Sequence, residues 1–359
     1  MFKTWFLIDE AEPLEPTLKP TEVERPNGSS IQPSALLGGF ALWRRKGPQA
    51  EAPTVSNFAA RTFMDVAEVQ EMMDVLRERK QLILEGPPGS GKTYIADLLG
   101  RLVSGNAFEG ATDQAFELVQ FHQSYGYEDF VQGIRPTTSK AGQLEYHVRD
   151  GIFKRFCADA ETAKHDDPGR KFVLVIDEIN RGNIARIFGE LLLLLEYREK
   201  SVALPYGNDG DKRFSIPDNV YVVGTMNTTD RSLAQIDYAL RRRFYFYRLM
   251  PTFNNSAPVL ARWCESQGME AGARERVVRV FLTLNKRLRE ELGEHFQVGH
   301  SYFMQAGIST APGLERVFRR AVIPLLEEYF YNRRDREDIL KEFDIENLAT
   351  TVTLGPAGV

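Results

Sequence analysis

The chain has 359 residues, of which 43% are hydrophobic and 26% are charged, a composition typical of a globular protein rather than a disordered or fibrous one. Its net charge of −5 excludes strong nucleic-acid binding through bulk positive charge. With no apolar run long enough for a membrane helix, no signal-peptide pattern at the start and only two cysteines, we expect a cytoplasmic protein that makes no membrane contact.

The chain divides into three parts by composition. Residues 1–60 are rich in proline and lack a sustained apolar period, which indicates a loosely structured arm with one candidate strand at Thr4–Ile8. Helix and strand patterns alternate over residues 61–249. Strand patterns then stop, and residues 250–359 are expected to form a smaller helical domain and a tail.

Five apolar segments predict the strands of one sheet. They lie at 81–85, 116–121, 171–178, 219–227 and 243–249. Apolar residues at helical spacing predict helices around Val69–Leu76, Ile184–Leu195, Val277–Leu292 and Leu314–Tyr331. Because strands alternate with helices, the sheet is expected to be parallel, with right-handed crossovers, in an α/β domain.

A glycine-rich turn joins the first strand to the next helix. Its sequence, GPPGSGKT (86–93), matches the phosphate-binding pattern G-x-x-x-x-G-K-[ST] at every fixed position. Such a turn directs backbone N–H groups at a phosphate, and the helix N-terminus adds partial positive charge. Lys92 would reach the β- and γ-phosphates, and Thr93 would ligate Mg²⁺. The predicted nucleotide-binding residues are Gly86, Pro87, Pro88, Gly89, Ser90, Gly91, Lys92, Thr93 and Tyr94.

Polar side chains end the third and fourth strands. Asp177 is predicted to hold Mg²⁺ together with Thr93, because a carboxylate beside a phosphate loop serves this purpose. The adjacent Glu178 would orient the attacking water or accept its proton. Asn227, at the end of the fourth strand, would position that water or contact the γ-phosphate.

Three consecutive arginines, Arg241, Arg242 and Arg243, precede the fifth strand. Such clusters are usually solvated corners or ion-pair networks. In a nucleotide hydrolase, an arginine that enters the phosphate site of a neighbouring subunit neutralises charge in the transition state. In that case a ring would be the active unit.

The order of these motifs resembles AAA+ ring ATPases, and the sequence is similar to the McrB family within that class. McrB proteins are the nucleotide-driven motor subunits of McrBC restriction systems, which depend on modified DNA. The resemblance spans residues 61–335. It rests on the segments QFHQSYGYEDFVQGIRP (120–136), RDGIFKRF (149–156), IDEINRGNIARIFGELLLLLE (176–196), GTMNTTDRSLAQIDYALRRRF (224–244) and VGHSYF (298–303).

The resemblance also implies a role for individual residues. The M-N-T-x-D-R signature of the family falls on 226–231, which includes Asn227 and Arg231, and Asp237 matches an acid near the nucleotide. The arginines that act on a neighbouring subunit would be Arg242 or Arg243. The implied catalytic set is Glu178, Asn227, Arg231, Asp237, Arg242 and Arg243, and the implied metal ligands are Thr93 and Asp177.

The resemblance implies a Mg²⁺-dependent GTPase or ATPase that forms a hexamer and works with an McrC-like nuclease subunit. McrB itself carries an N-terminal module that recognises modified cytosine, whereas residues 1–60 are too few for one. DNA contact is therefore expected through a partner or the ring pore. The only nuclease-like E-x-K, Glu78–Lys80, ends a predicted helix, so the chain is not expected to cut DNA itself.

Two other functions stay open at this point. The chain could be a MoxR-like ATPase that remodels protein partners, or a nucleotide-gated scaffold that rarely hydrolyses, although the intact Asp177–Glu178 pair argues against the scaffold. In the helical domain, nucleotide-sensing arginine candidates are Arg316, Arg319 and Arg320. His300 is interpreted as a packing or hydrogen-bonding residue of that domain.

Overall fold

A computed structural model describes residues 53–110, 112–138, 142–206, 213–229 and 238–350, together with two short strands nearer the amino terminus. Those strands, β1 (Val23–Glu24) and β2 (Arg44–Arg45), pair antiparallel within a unit over 1–51. The strand predicted at Thr4–Ile8 lies outside the described residues. All remaining elements belong to a second unit over 52–359.

Two helices precede the sheet. They are α1 (Val55–Thr62) and α2 (Val66–Arg79). The predicted apolar face of α2 is confirmed, since it buries Val69, Met72, Met73 and Leu76. The predicted boundary at residue 60 falls inside α1, and the division into three parts stays a prediction.

The predicted five-stranded parallel sheet is confirmed. Its strands are β3 (Gln81–Gly86), β4 (Phe116–Gln120), β7 (Phe172–Asp177), β8 (Val220–Asn227) and β9 (Tyr245–Arg248). They are ordered β4-β7-β8-β3-β9, and every neighbouring pair is parallel. The strands β3 and β7 are buried along their whole length, as expected for a sheet covered on both faces. All five carboxyl ends therefore meet along one edge, with β3 between β8 and β9.

Helices around the sheet cover both of its faces. They are α3 (Lys92–Ser104), α4 (Tyr127–Phe130), α5 (Ile152–Asp166), α6 (Ile184–Phe188), α7 (Leu191–Glu196) and α8 (Tyr238–Arg243). The single helix predicted over Ile184–Leu195 is wrong, because the chain breaks into α6 and α7. The break lies at Gly189, whose φ of +50° leaves the right-handed helical region.

A hairpin that the sequence analysis did not predict lies between β4 and α5. It consists of β5 (Gln132–Thr138) and β6 (Leu144–Asp150), which pair antiparallel with Ile134 opposite Val148. Partners in such a ladder point to the same face, so Ile134, Tyr146 and Val148 share one face, and all three are exposed. The two strands of this hairpin form a separate two-stranded sheet and do not pair with the five-stranded sheet.

The helical domain follows β9 and has its own buried apolar core. Its helices are α9 (Pro258–Ser266), α10 (Ala271–Leu292), α11 (Ala311–Val317), α12 (Ile323–Tyr329), α13 (Arg336–Glu342) and α14 (Ile345–Thr350). Both helices predicted here are confirmed, although a π-helical segment, Phe318–Val322, joins α11 to α12. Within the described part of the chain, the longest and most apolar helices still fall short of what a bilayer crossing requires.

Candidate active site

The glycine-rich turn leaves β3 at Gly86 and enters α3 at Lys92. Gly89 and Gly91 have φ values of +77° and +85°, a region that disfavours residues with a side chain. A methyl group added to Gly86 would lie 2.5 Å from the carbonyl oxygen of Leu249. The turn therefore depends on glycine for its backbone conformation and for the close approach of the backbone at Leu249.

Lys92 and Thr93 occupy the first turn of α3. Lys92 is buried, and its ammonium donates to the carbonyl oxygen of Pro87 within the glycine-rich turn, at 2.8 Å. The hydroxyl of Thr93 donates to Oδ1 of Asp177, at 2.7 Å. The sheet therefore brings together the two predicted metal ligands, which are separated by 84 positions in the sequence.

Glu178 follows β7 in a left-handed conformation, with φ of +54°. Oε1 of its carboxylate accepts a hydrogen bond from Nδ2 of Asn227 at 2.6 Å, and Oε2 accepts one from Nε of Arg181 at 3.2 Å. Few residues with a side chain adopt this backbone conformation, and they concentrate at functional sites. The predicted pair of Glu178 and Asn227 is thus in direct contact, and Arg181 is a partner that the sequence reasoning missed.

Two further residues that sequence reasoning missed hold Asp177. The hydroxyl of Thr225 donates to Oδ1 of Asp177 at 2.6 Å, and Nε2 of Gln120 donates to Oδ2 at 3.4 Å. Gln120 is the sheet neighbour of Asp177 in the β4–β7 register, and Thr225 lies on β8. Gln120 reaches the carboxylate through the β4–β7 register and Thr225 through the β7–β8 register, and the motifs reveal neither.

The two predicted arginines differ in their surroundings. Arg243 is mostly buried, donates through Nε to the carbonyl oxygen of Leu192 at 2.6 Å, and pairs with Glu196 at 3.1 Å. Arg242 also pairs with Glu196, yet 73% of its side chain is exposed. Arg242 can therefore reach beyond its own chain at little cost, whereas Arg243 is held inside it. Arg231 and Asp237 lie outside the described residues.

The segment Val298–Tyr302 of the helical domain lies directly on the glycine-rich turn. The N–H of Gly299 donates to the carbonyl oxygen of Pro88 at 2.9 Å, and the N–H of Ser301 donates to that of Gly89 at 3.0 Å. A methyl group on Gly299 would lie 1.9 Å from the carbonyl carbon of Gly89. The two backbones are therefore in contact without room for a side chain between them.

Two polar atoms stay unpaired where these segments meet. Oγ of Ser90 and Nδ1 of His300 are buried, and neither has a hydrogen-bond partner within the described ranges. Part of the His300 residue remains exposed, although Nδ1 itself is not. Burial lowers the pKa of His300 to about 4, so its ring is neutral at pH 7. Buried polar atoms without a partner are uncommon in folded proteins, and an ordered water, an ion or a bound ligand can pair with them.

The arrangement suits a triphosphate with its magnesium ion. Hydroxyl and carboxylate oxygens are the ligands that Mg²⁺ prefers, and Thr93 and Asp177 supply one of each. The glycine-rich turn places Lys92 and the N-terminus of the 13-residue helix α3 beside these oxygens. The unpaired hydroxyl of Ser90 leaves a donor in the turn for a phosphate oxygen. The residues present therefore fit both groups.

Two family profiles match the chain. One is described as an AAA domain of the dynein-related subfamily and covers residues 81–244. The other is the alpha-helical lid domain of McrB and covers residues 276–338. The first match contains the glycine-rich turn and the first four strands of the sheet and ends just before β9, and the second falls within the helical domain.

Curated relatives come from restriction systems. The type IV methyl-directed restriction enzyme EcoKMcrB subunit of Escherichia coli K12 is 38% identical over 281 residues, which is 75% of this chain and 58% of that protein. The type II restriction enzyme BsuMI component YdiS of Bacillus subtilis 168 is 25% identical over 199 residues, 46% of this chain and 55% of that protein. The chain thus spans between half and two thirds of the length of these relatives.

Among the solved structures similar to this chain is the crystal structure of a candidate ATPase from Cytophaga hutchinsonii, which is 16% identical, with a TM-score of 0.35, over 66% of each chain. This likeness is too low to support an argument about fold or function.

Proposed function

We propose that this chain, which belongs to the McrB family of AAA+ proteins, hydrolyses a purine nucleoside triphosphate, GTP or ATP. The observation that supports this most directly is the meeting of two pairs at the sheet edge. Thr93 contacts Asp177, and Asn227 contacts Glu178, next to the glycine-rich turn. The residues proposed to bind phosphate, to hold the metal ion and to accept the proton of water thus lie together.

In the proposed reaction, water attacks the γ-phosphorus in line with the departing diphosphate. Lys92 and the N–H groups of the turn hold the phosphates and offset the charge that develops on them. Thr93 and Asp177 would hold Mg²⁺, which when bound neutralises phosphate oxygens. Thr225 and Gln120 orient the carboxylate of Asp177 for this purpose.

Glu178 is the proposed proton acceptor for the attacking water. Both of its oxygens are engaged, one by Asn227 and one by Arg181. A carboxylate offers about four acceptor positions, so the attacking water can bond to Glu178 beside these donors or in place of one of them. Arg181 is the weaker partner, because its bond is longer and half of its side chain is exposed. Where water replaces a donor, we therefore expect it to replace Arg181, while Asn227 keeps the carboxylate aligned.

Assembly into a homohexameric ring completes the proposal. Arg242 would enter the phosphate site of a neighbouring copy, because it is exposed while Arg243 is bound within its own chain. Arg231 keeps the catalytic role implied by the family signature, and Asp237 keeps the role of the acid that the family places near the nucleotide.

The ring would act as the motor of a restriction or antiphage complex. Its partner would be an McrC-like nuclease subunit, and DNA would be contacted through that partner or through the ring pore. The support for this step is that both curated relatives are components of restriction enzymes.

Phosphate release with GTP and with ATP tests the proposal, measured with and without an McrC-like subunit. Glu178→Gln keeps the size of the side chain and removes its basicity. It should abolish release and leave nucleotide binding unchanged. Glu199→Gln, which alters an exposed acid outside the candidate site, should behave as the wild type. Turnover by Glu178→Gln at the wild-type rate would contradict the role of this residue.

A further inference from the structure

We infer that the exposed apolar face of the β5–β6 hairpin is an interaction surface for a second copy of this chain, and that it packs on α7 of the neighbouring copy. This inference rests on the proposed function, because the contact forms within the proposed ring. It goes further by naming two surfaces that meet there, neither of which belongs to the phosphate site or to the arginine cluster.

The hairpin carries its large apolar side chains on one face. Ile134 lies opposite Val148 and Thr138 opposite Leu144, and alternate residues of a strand share a face. The large apolar residues of this face are Ile134, Leu144, Tyr146 and Val148, which are 51%, 62%, 66% and 47% exposed. We call these four residues the hairpin face. A two-stranded sheet is marginally stable alone, so covering the hairpin face also stabilises the hairpin.

The chemistry of the hairpin face selects a protein rather than DNA as its partner. Arg135, His147 and Arg149 all lie on the opposite face of the hairpin. The described residues of the hairpin face carry no charge. Nucleic acids are bound chiefly through Lys and Arg contacts to phosphate, which the hairpin face cannot make.

A second exposed apolar surface lies on α7. Leu193 belongs to this helix, and Tyr197 follows four positions later at its carboxyl end, so the two side chains lie on one side of it. Both are exposed. We call these two residues the α7 patch. The other exposed large apolar residues of the described chain come one to an element. Within one chain, neither the hairpin face nor the α7 patch covers the other, because both are exposed.

The α7 patch adjoins the arginine that is proposed to reach a neighbouring copy. Glu196 of α7 pairs with Arg242 at 3.1 Å, and Nε of Arg243 donates to the carbonyl oxygen of Leu192. The helix α7 is therefore bound directly to the arginine cluster. A neighbour whose phosphate site receives Arg242 also faces the α7 patch.

The hairpin starts from the edge of the sheet that holds the phosphate site. Gln120, the last residue of β4, donates to Asp177 at that edge. The chain then enters α4 at Tyr127 and β5 at Gln132. The phosphate site and the hairpin thus project from one edge, and one contact with α7 and α8 of the next copy can engage both.

Ring symmetry decides which surface the hairpin face can meet. Two identical faces that pack on each other require a two-fold axis, whereas the copies of a ring contact one another head to tail. The hairpin face of one copy must therefore meet a different surface of the next copy. The α7 patch is such a surface, and it is apolar as well.

The size of the hairpin face agrees with a contact inside a larger interface. Its four side chains expose on the order of a few hundred Å², the size at which apolar patches are often functional. A stable protein–protein contact needs roughly 800 Å² on each partner. The hairpin face alone is too small for that, so it adds to an interface that also includes the Arg242 contact.

Sedimentation velocity of the full chain with Mg²⁺ and non-hydrolysable analogues of GTP and ATP tests this inference, because it gives the concentration at which half of the copies are assembled. Tyr146→Ser should raise that concentration at least about tenfold, since burial of a large apolar side chain is lost. Leu193→Ser should act in the same direction. His147→Ser, on the opposite face of the same strand, should stay within about twofold of the wild type. All three variants should keep the melting temperature of the single chain, because the replaced side chains are exposed.

A pair of charges tests whether the two surfaces meet each other. Tyr146→Asp and Leu193→Lys each place a charge in an apolar contact, so each should impair assembly. The double variant places opposite charges on facing surfaces of neighbouring copies. It should assemble at a concentration at least about tenfold lower than either single variant.

The outcomes separate this inference from the proposed function. Unchanged assembly of Tyr146→Ser would overturn the inference and leave the proposed hydrolysis intact. If that variant assembles normally but binds the nuclease subunit less tightly, the hairpin face belongs to that subunit, which also overturns the inference. A double variant that recovers nothing would overturn it too, because the two surfaces would then have different partners. If the wild-type chain stays monomeric with both analogues, the proposed ring fails and this inference fails with it.

Discussion

The carboxyl edge of the sheet and the contact made by the helical domain face the same glycine-rich turn, yet the carboxylates of the first and the polar side chains of the second differ in their hydrogen bonding. At the sheet edge, the carboxylates of Asp177 and Glu178 are each bonded to side chains on neighbouring elements. At the contact with the helical domain, Ser90 and His300 keep buried atoms unpaired.

The carboxylates at the sheet edge are thus positioned within the chain, whereas the unpaired atoms of Ser90 and His300 can still bond to a ligand. Charged groups at the sheet edge are held in place before any nucleotide arrives, so little reorganisation is needed at the reacting phosphate. Each unpaired buried atom at the other contact costs about 1–3 kcal/mol. A ligand that pairs them recovers this free energy, so we expect nucleotide binding to tighten the contact between the two domains.

We expect the largest effect from removing Arg242, which tests whether hydrolysis at the sheet edge requires an arginine from a neighbouring copy of the chain. Arg242→Ala should lower hydrolysis by the assembled ring about 10³-fold, because an arginine supplied by a neighbouring subunit contributes about this factor to the rate. Its melting temperature should equal that of the wild type. Arg243→Ala should instead destabilise the chain by about 3 kcal/mol, because it leaves Glu196 without its most buried partner. Phosphate release and thermal unfolding distinguish the two. Full activity of Arg242→Ala rings would refute the assignment.

Removing the cation of the turn itself should have the next largest effect. Lys92→Ala should lower hydrolysis by at least about 10²-fold, because one charge stabiliser of the transition state is lost. The fold should persist, since the sheet and its cores do not depend on this ammonium. Lys200→Ala, an exposed lysine after α7, is the matched control. Hydrolysis by Lys92→Ala within tenfold of wild type would show that the turn is not the phosphate site.

The contact of the helical domain is tested by one methyl group. Gly299→Ala should force the segment 298–302 away from the turn, since its Cβ would lie 1.9 Å from a backbone carbon. We expect a loss of about 1–3 kcal/mol in unfolding free energy, as in other overpacked sites, together with weaker nucleotide binding. Gly272→Ala, which has open space within α10, should be neutral or stabilising. Equal behaviour of the two variants would contradict the close approach.

The smallest expected effect is a pH dependence of stability from His300. The folded chain lowers the pKa of His300 to about 4 from an ordinary value of 6.5, so the unfolded chain binds this proton more readily. Stability should therefore fall as the pH drops from 6.5 towards 4, by about 1 kcal/mol at pH 5.5. Urea unfolding of the wild type and of His300→Asn at pH 7 and 5.5 isolates the contribution of His300. An equal change in unfolding free energy between the two pH values for both proteins would show that the ring is not buried as a neutral group.

Local patterns were enough to predict most of the α/β fold. Strands such as β3 and β7 are short, mostly apolar and fully buried segments, and the glycine-rich turn between β3 and α3 has a fixed spacing that few other structures share. Parallel order followed from their alternation with helices. The position of Asp177 and Asn227 at strand ends then placed them at one edge.

What the sequence did not reveal depends on contacts between distant segments. Thr225 and Gln120 reach Asp177 through strand register, which a motif does not encode. The β5–β6 hairpin was missed because its exposed strands contain Gly133 and Pro136, residues that lower strand propensity. His300 gained its place only when the helical domain packed against the turn.

Calorimetric titration of the wild-type chain with GTP and ATP in the presence of Mg²⁺ tests the central claim most directly, with Lys92→Ala measured alongside. The account predicts saturable uptake of at least one of the two nucleotides, close to one per chain, and its loss in Lys92→Ala. Well-folded wild-type protein that takes up neither nucleotide would contradict it.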